Sequence, residues 1–261
     1  MSAIVFVHAH PDDEGTLTSG SMARAAAEGH QVHVVFATGG EHGEVPDDLA
    51  PDETLADRRH GEAHESARIG GVRGVHWLGY TDSGMTGWAQ NDEPDCFARA
   101  DLDEAAVRLV GILRDVDAAV VVGYDWHGNY GHPDHIKVHQ VVRRAVQLCA
   151  PPPRLFEASM NRDLMRGLHQ AALAAGVEGF DPDAAMDDGN PMGTPEAELQ
   201  LRVDVSDFLS VRRRMIAAHA SQVTDVQGLL SIPEEAFATM FGHEHFIEVG
   251  SDTALRDGWF F

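Results

Sequence analysis

The chain has 261 residues, 43% of them hydrophobic, and carries 42 Asp or Glu against 19 Lys or Arg, a formal charge of −23 at neutral pH. A surface this negative repels phosphate backbones and anionic bilayers, which argues against nucleic acid as a partner and against docking on membranes. No apolar run approaches the roughly 18–20 residues of a membrane-inserted helix.

The two cysteines, Cys96 and Cys149, have neither metal-type nor disulfide-framework spacing. A chain of this length can bury roughly 70–75% of its unfolded surface, so any metal serves chemistry before stability. Residues 1–8 lack the basic flank and the apolar length of a signal peptide, so a cytoplasmic location is expected.

In chain order, Ala3-Ile-Val-Phe-Val7 is a β-branched apolar run that predicts a buried strand. It runs into the polar turn His8-Ala-His-Pro-Asp-Asp-Glu-Gly15. A helical pattern over 18–28 stops at Gly29, and 31–38 reads as the second strand. Residues 53–69 read as helix ended by Gly70-Gly71, 74–78 as a short strand, and 102–116 as an amphipathic helix. Ala118-Ala-Val-Val-Val122 is another buried strand, and 136–149 a helix stopped by Pro151-Pro-Pro153. The Gly/Pro/Asp-rich stretch 177–194 reads as a loop or flap, and 207–218 as helix. Alternating strands and helices predict an α/β, Rossmann-like fold: a mostly parallel sheet with helices on both faces and a C-terminal elaboration. A single domain over 1–261 is expected, with 1–150 as catalytic core and 151–261 shaping the substrate pocket.

Two polar clusters follow buried strands, where open parallel sheets bind their ligands. The first is His10-Pro-Asp-Asp-Glu14. Alone it reads equally well as an ordinary Pro/Asp turn, but two adjacent carboxylates can also divide work between metal and substrate. The second, Gly123-Tyr-Asp-Trp-His-Gly-Asn-Tyr-Gly-His-Pro-Asp-His135, leads into a helix. If the clusters meet, His10, Asp13 and His135 supply three ligands and leave a fourth position open, as in catalytic zinc sites. Asp134 is placed to orient a neighbouring ring, His132 above all, and to raise its pKa. His139 shares a face with His135 and reads as support or packing. His42, His60, His64, His127, His169, His219, His243 and His245 read as ordinary surface or core histidines. There is no Gly-x-Ser-x-Gly elbow and no Gly-x-Gly-x-x-Gly after the first strand.

Ala9-His-Pro-Asp-Asp-Glu14 and Gly131-His-Pro-Asp-His135 resemble the two signatures of the LmbE-like N-acetylglucosaminylphosphatidylinositol de-N-acetylase (PIG-L) family. Thr38-Gly-Gly-Glu-His-Gly-Glu44, Arg59-His-Gly-Glu62 and Gly79-Tyr-Thr-Asp-Ser-Gly-Met85 resemble further segments of it, in order, over about half the chain. The resemblance implies one Zn2+ per chain on His10, Asp13 and His135, with Fe2+ as the alternative. It implies Asp12 as general base, and His132, held by Asp134, beside the oxyanion with Tyr130 assisting. Arg59 and Asp82 match sugar-contacting positions. The implied reaction is hydrolysis of the N-acetyl amide of an N-acetylglucosamine-type conjugate, a small-molecule substrate. An amidase acting on a larger amide, such as a mycothiol S-conjugate, or a deacetylase of a glycosylated natural product stays open. So do a two-metal phosphoesterase, which zinc near one per chain would oppose, and assembly as a homo-oligomer.

Overall fold

A computed structural model describes residues 1–174, 176, 180–186 and 188–261. Its strands are β1 (Ala3–His8), β2 (Gln31–Thr38), β3 (Gly74–Tyr80), β4 (Ala118–Tyr124), β5 (Arg154–Ser159), β6 (Leu201–Asp204), β7 (His243–Glu248) and β8 (Arg256–Asp257). The helices are α1 (Asp13–Leu17), α2 (Ser19–Ala27), α3 (Leu55–Ile69), α4 (Leu102–Asp115), α5 (Pro133–Leu148), α6 (Arg162–Ala174), α7 (Leu209–Ala218), α8 (Val223–Ser231) and α9 (Glu234–Phe241). One sheet takes all eight strands in the order β3-β2-β1-β4-β5-β7-β6-β8. From β3 to β5 every pairing is parallel; β7 runs antiparallel to both of its neighbours. The expected mostly parallel sheet is present, and its antiparallel edge comes from the C-terminal elaboration.

Strand alternation divides the core into two layers. Val5, Val7, Val35 and Val121 face Leu109 of α4 and Val138 of α5. Ile4, Phe6, Val34, Phe36 and Val122 face Met22 of α2, Ala63 of α3 and Met215 of α7. Local signals set the helix starts: Thr54 and Asp57 form a capping box on α3, and Asp101 caps α4. α5 begins three residues before the expected position, because Pro133 sits at its first turn and His132 caps it. Asp134 and His135 therefore stand on a helix rather than in a loop. Of the stretch 177–194, residues 177–179 and 187 lie outside the described residues; the rest is turns and isolated bridges. Among the described residues, no helix is long and apolar enough to cross a membrane.

The topology also locates the site. The chain leaves β1 toward β2 and β3 on one side, and β4 and β5 build the other. β1 and β4 are parallel neighbours, so both polar clusters leave the same edge at the switch point between them.

The C-terminal strands bring a testable property. Burial, then the positive charge of His243 and Arg202, pushes the β7 imidazole of His245 from 6.5 down to about 4, with Glu196 and Asp257 opposing. Between those values the unfolded chain binds the extra proton, so stability falls as pH falls. Acidification across this window should cost up to roughly 3 kcal/mol through His245. Denaturant unfolding at each pH should show His245→Gln flattening that part of the profile; an unchanged slope would assign the effect to other groups.

Candidate active site

The loop after β1 turns through Asp12, whose φ of 110° is left-handed and strained for a non-glycine residue. Several bonds hold the turn. The Asp12 N–H donates to Glu14 Oε2 at 3.0 Å, and the His10 N–H to Asp13 Oδ2 at 2.8 Å. Arg59, buried on α3, donates to Asp12 Oδ2 at 2.9 Å, to the Gly40 carbonyl at 2.8 Å and to the Pro11 carbonyl. Gly40 has φ +69°, and a Cβ there would strike the Arg59 guanidinium. The glycine-rich loop after β2 is thus shaped around that arginine.

His10, Asp13 and His135 come together. Asp13 Oδ2 lies 3.4 Å from His10 Nδ1, and its Oδ1 lies 3.3 Å from His135 Nε2. The outer nitrogen of each ring is already committed. His10 Nε2 bonds Asp134 Oδ2 at 3.1 Å, and His135 Nδ1 bonds the Gly128 carbonyl at 3.2 Å. These acceptors take up the outer nitrogen of each ring and leave the inner nitrogens, His10 Nδ1 and His135 Nε2, facing Asp13. His135 Nε2 is buried with no hydrogen-bond partner. Ring nitrogens facing a carboxylate are held by positive charge, supplied by a proton or by a cation, and carboxylate- or carbonyl-anchored imidazoles are the usual surroundings of a bound metal. Burial lowers the His10 pKa, but Asp82, Asp13 and Asp134 outweigh it and raise it well above the ordinary value. The donor set therefore fits a divalent cation. Ring nitrogens of His10, His132 and His135 also lie within 4.8 Å of one another, as do ligand atoms of His10, Asp82 and Asp134. Tyr124 stacks on His135, centroids 4.5 Å apart and planes at 9°, and fixes that ring.

Asp12 has 27% of its side chain exposed and lines a cavity of about 390 Å³. Burial pushes its carboxyl up to about 6, against the pull of Arg59 and with help from Asp13. His132 lines the same cavity, but its tie to Asp134 differs from the expected one. The Asp134 carboxylate is taken by His10 and by Ser83, through the Ser83 N–H at 2.9 Å and its hydroxyl. His132 Nδ1 instead accepts the Asp134 backbone N–H at 3.1 Å. That bond leaves the proton on Nε2. Burial, then His10 and His135, push the His132 pKa down to about 2, the opposite of the expected direction. A neutral ring can still donate from Nε2.

Tyr130 lines the cavity with its ring 6.2 Å from that of His132 and 4.9 Å from that of His135. Arg59 and Asp82 reach the wall as well. The carboxylate of Asp82 is largely occupied by the His42 and Gly84 N–H groups at 3.1 and 2.8 Å. His139 supports the Tyr124 carbonyl and Glu157 and stands away from the cavity.

Sequence reasoning missed three groups here. His42 and His219, set aside as ordinary histidines, both line the cavity. Glu14, unremarked in the first cluster, is fully buried and accepts from Asp12, from Ser66 Oγ at 2.6 Å and from His219 at 2.6 Å. Burial raises the Glu14 pKa, but His219 and Ser66 outweigh it and hold the carboxyl at about 2. The far wall, from α7 and α8, adds Ile216, Gln222, Asp225, Val226 and Leu229, opposite Met85 and Trp88. A partner 205 residues away leaves no local trace, although the segment His219-Ala-Ser-Gln222, polar just past a helix end, was a signal to weigh.

Residues 5–146 match the family model described as PIG-L: GlcNAc-PI de-N-acetylase. A Thermobispora bispora protein named 1D-myo-inositol 2-acetamido-2-deoxy-alpha-D-glucopyranoside deacetylase is 39% identical over 240 residues, covering 84% of this chain and 79% of that one. A Geodermatophilus obscurus protein of the same name is 35% identical over 283 residues, covering 98% and 95%. Among solved structures, a deacetylase of the teicoplanin biosynthesis pathway superposes with a TM-score of 0.64 over 97% of this chain and 100% of that one, at 18% identity, a likeness of fold. With the family model matching over half its length and both relatives aligning over most of theirs, the chain belongs to the PIG-L/LmbE family of GlcNAc-PI de-N-acetylases.

Proposed function

We propose that this chain is a zinc-dependent cytoplasmic N-deacetylase that hydrolyses the N-acetyl amide of an N-acetylglucosamine conjugate to acetate and a free amine. One observation carries the reading: Asp12, its carboxyl raised toward neutrality, faces the same cavity as the cation-fitting group and a neutral His132. The names of the 35–39% identical relatives support N-acetylglucosamine linked to inositol as the substrate class.

His10, Asp13 and His135 would hold the ion, with imidazole and carboxylate suited to zinc and Fe2+ as the alternative. Bound there, it supplies Lewis acidity, lowering the pKa of water and polarising the amide carbonyl. Asp12 takes the proton of the attacking water as the new C–O bond forms. His132 donates from Nε2 to the carbonyl oxygen as negative charge develops, a contribution of about 3 kcal/mol for a donor of this kind. Asp12 then returns its proton to the nitrogen as the C–N bond breaks, giving amine and acetate. Arg59 keeps the Asp12 carboxylate turned into the cavity. Asp134 fixes His10, Tyr130 supports the oxyanion side, and Arg59 and Asp82 border the sugar. Residues 151–261 shape the aglycone side through α7 and α8.

Three outcomes test this. Metal analysis of the purified protein should find zinc near one per chain, and His10→Ala, Asp13→Ala and His135→Ala should each lose it. A full complement in those variants would sink the ligand assignment. Asp12→Asn should keep the metal and lose about 10²–10⁴-fold in kcat; near-normal turnover would remove Asp12 as the base. Amine release should be sensitive to chelation and faster from N-acetylglucosaminyl-inositol than from N-acetylglucosamine. A preference for an S-conjugate would turn the reading to an amidase.

A further inference from the structure

We propose that His219, acting through Glu14, is a positioning residue for Asp12. This rests on Asp12 being the base. Asp12 carries its carboxylate on a strained left-handed backbone, and its N–H is held by Glu14 Oε2 at 3.0 Å. The other oxygen of Glu14 accepts from His219 Nε2 and Ser66 Oγ, each at 2.6 Å. The relay is buried: Glu14 is 1% exposed, His219 and Ser66 0%.

Direct contact with substrate is not open to the His219 ring nitrogens. Nε2 is spent on Glu14, and Nδ1 is buried without a partner. His219 is itself held firmly. It follows the last turn of α7, and two residues on, the Ser221 N–H and hydroxyl both donate to Glu62 of α3, at 2.7 and 2.6 Å. Glu62 lies less than one helical turn from Arg59, the other residue that grips Asp12. The corner between α7 and α8 thus fixes the base loop from behind, through a carboxylate that touches neither substrate nor cation.

The test is steady-state kinetics on the acetylated conjugate, expressed per metal-loaded, folded chain. His219→Ala should lower kcat about 10–100-fold, the scale of a small displacement of a reacting group. KM should stay within about twofold, because substrate contacts remain. Metal content should not change. His219→Gln, which keeps an N–H donor in reach of Glu14, should recover most of the loss. Glu14→Gln should lower kcat similarly, and the double variant should be no worse than the weaker single one, as for residues acting in series. If Glu14→Gln does not fold, Ser66→Ala, remote from the cavity wall, should lower kcat in the same direction by less. Multiplying defects, a change confined to KM, or a normal His219→Ala enzyme would overturn the proposal. A crystal structure of metal-loaded His219→Ala gives a readout independent of turnover: Asp12 should leave its left-handed φ, and an unmoved Asp12 would also overturn it. An inactive wild-type enzyme would instead count against the deacetylase reading, with the structural arm still deciding whether His219 positions Asp12.

Discussion

Asp13 sets the condition to which the rest of the site answers. Two imidazoles turn their inner nitrogens toward its two oxygens, and neither ring can rotate without abandoning the acceptor on its outer nitrogen. In a low-dielectric pocket that array is unfavourable without positive charge between its members. Asp134 and the Gly128 carbonyl impose the arrangement, and Tyr124 stacked on His135 stops that ring from tilting away. Gly128, at φ +64°, lets the backbone pass close to the His135 side chain, where any Cβ would collide. The demand for positive charge beside Asp13 is therefore set by the groups that hold the two rings in place.

The sheet delivers the two halves of this array. Asp13 and His135 are 122 residues apart, and only the adjacency of β1 and β4 brings them within reach. The same edge receives the loop after β2, whose Gly40 carbonyl anchors Arg59, and the loop after β3, whose Ser83 grips Asp134. Four parallel strands each send one loop to the cavity. Asp12 is correspondingly over-determined, its carboxylate held by Arg59 and its backbone by Glu14. Strain of order 1–3 kcal/mol at such a residue persists only where its surroundings hold it from several sides.

What the sequence made legible follows the range of the interactions. The β-branched runs of β1, β2 and β4 announce themselves locally, and so do the His-Pro-Asp turns that follow β1 and β4. The start of α5 at Pro133 was also readable, since proline favours the first helical turn. The pairing of Asp134 was not. Two residues from His132 in sequence, its carboxylate reaches His10 and Ser83, 124 and 51 residues away. Proximity along the chain suggested a carboxylate–imidazole pair, and the helical turn supplied a backbone N–H instead. That exchange alters the chemistry, because without a bonded carboxylate, burial and the neighbouring His10 and His135 keep the His132 ring neutral. His219 was illegible for a similar reason: its partner Glu14 lies 205 residues earlier in the chain.

The C-terminal third is bound to the core by buried polar contacts more than by apolar area alone. Arg212 of α7 pairs with Glu244 of β7 at 2.8 Å, and Glu244 also accepts the Gly20 and Ser21 N–H groups of α2. Removing one member of such a buried pair typically costs about 3–5 kcal/mol, because the other charge is left uncompensated. Gln222 exchanges two hydrogen bonds with the backbone of Glu44. These contacts fix where α7 and α8 stand, while the side chains they present to the cavity, Ile216, Val226 and Leu229 opposite Met85 and Trp88, also pack with Phe237 and Phe241 of α9. The two proposed tasks come from different parts of the chain: the residues proposed to break the amide lie in the loops after β1 and β4, and the cavity wall proposed to select what carries the amide comes from α7 and α8.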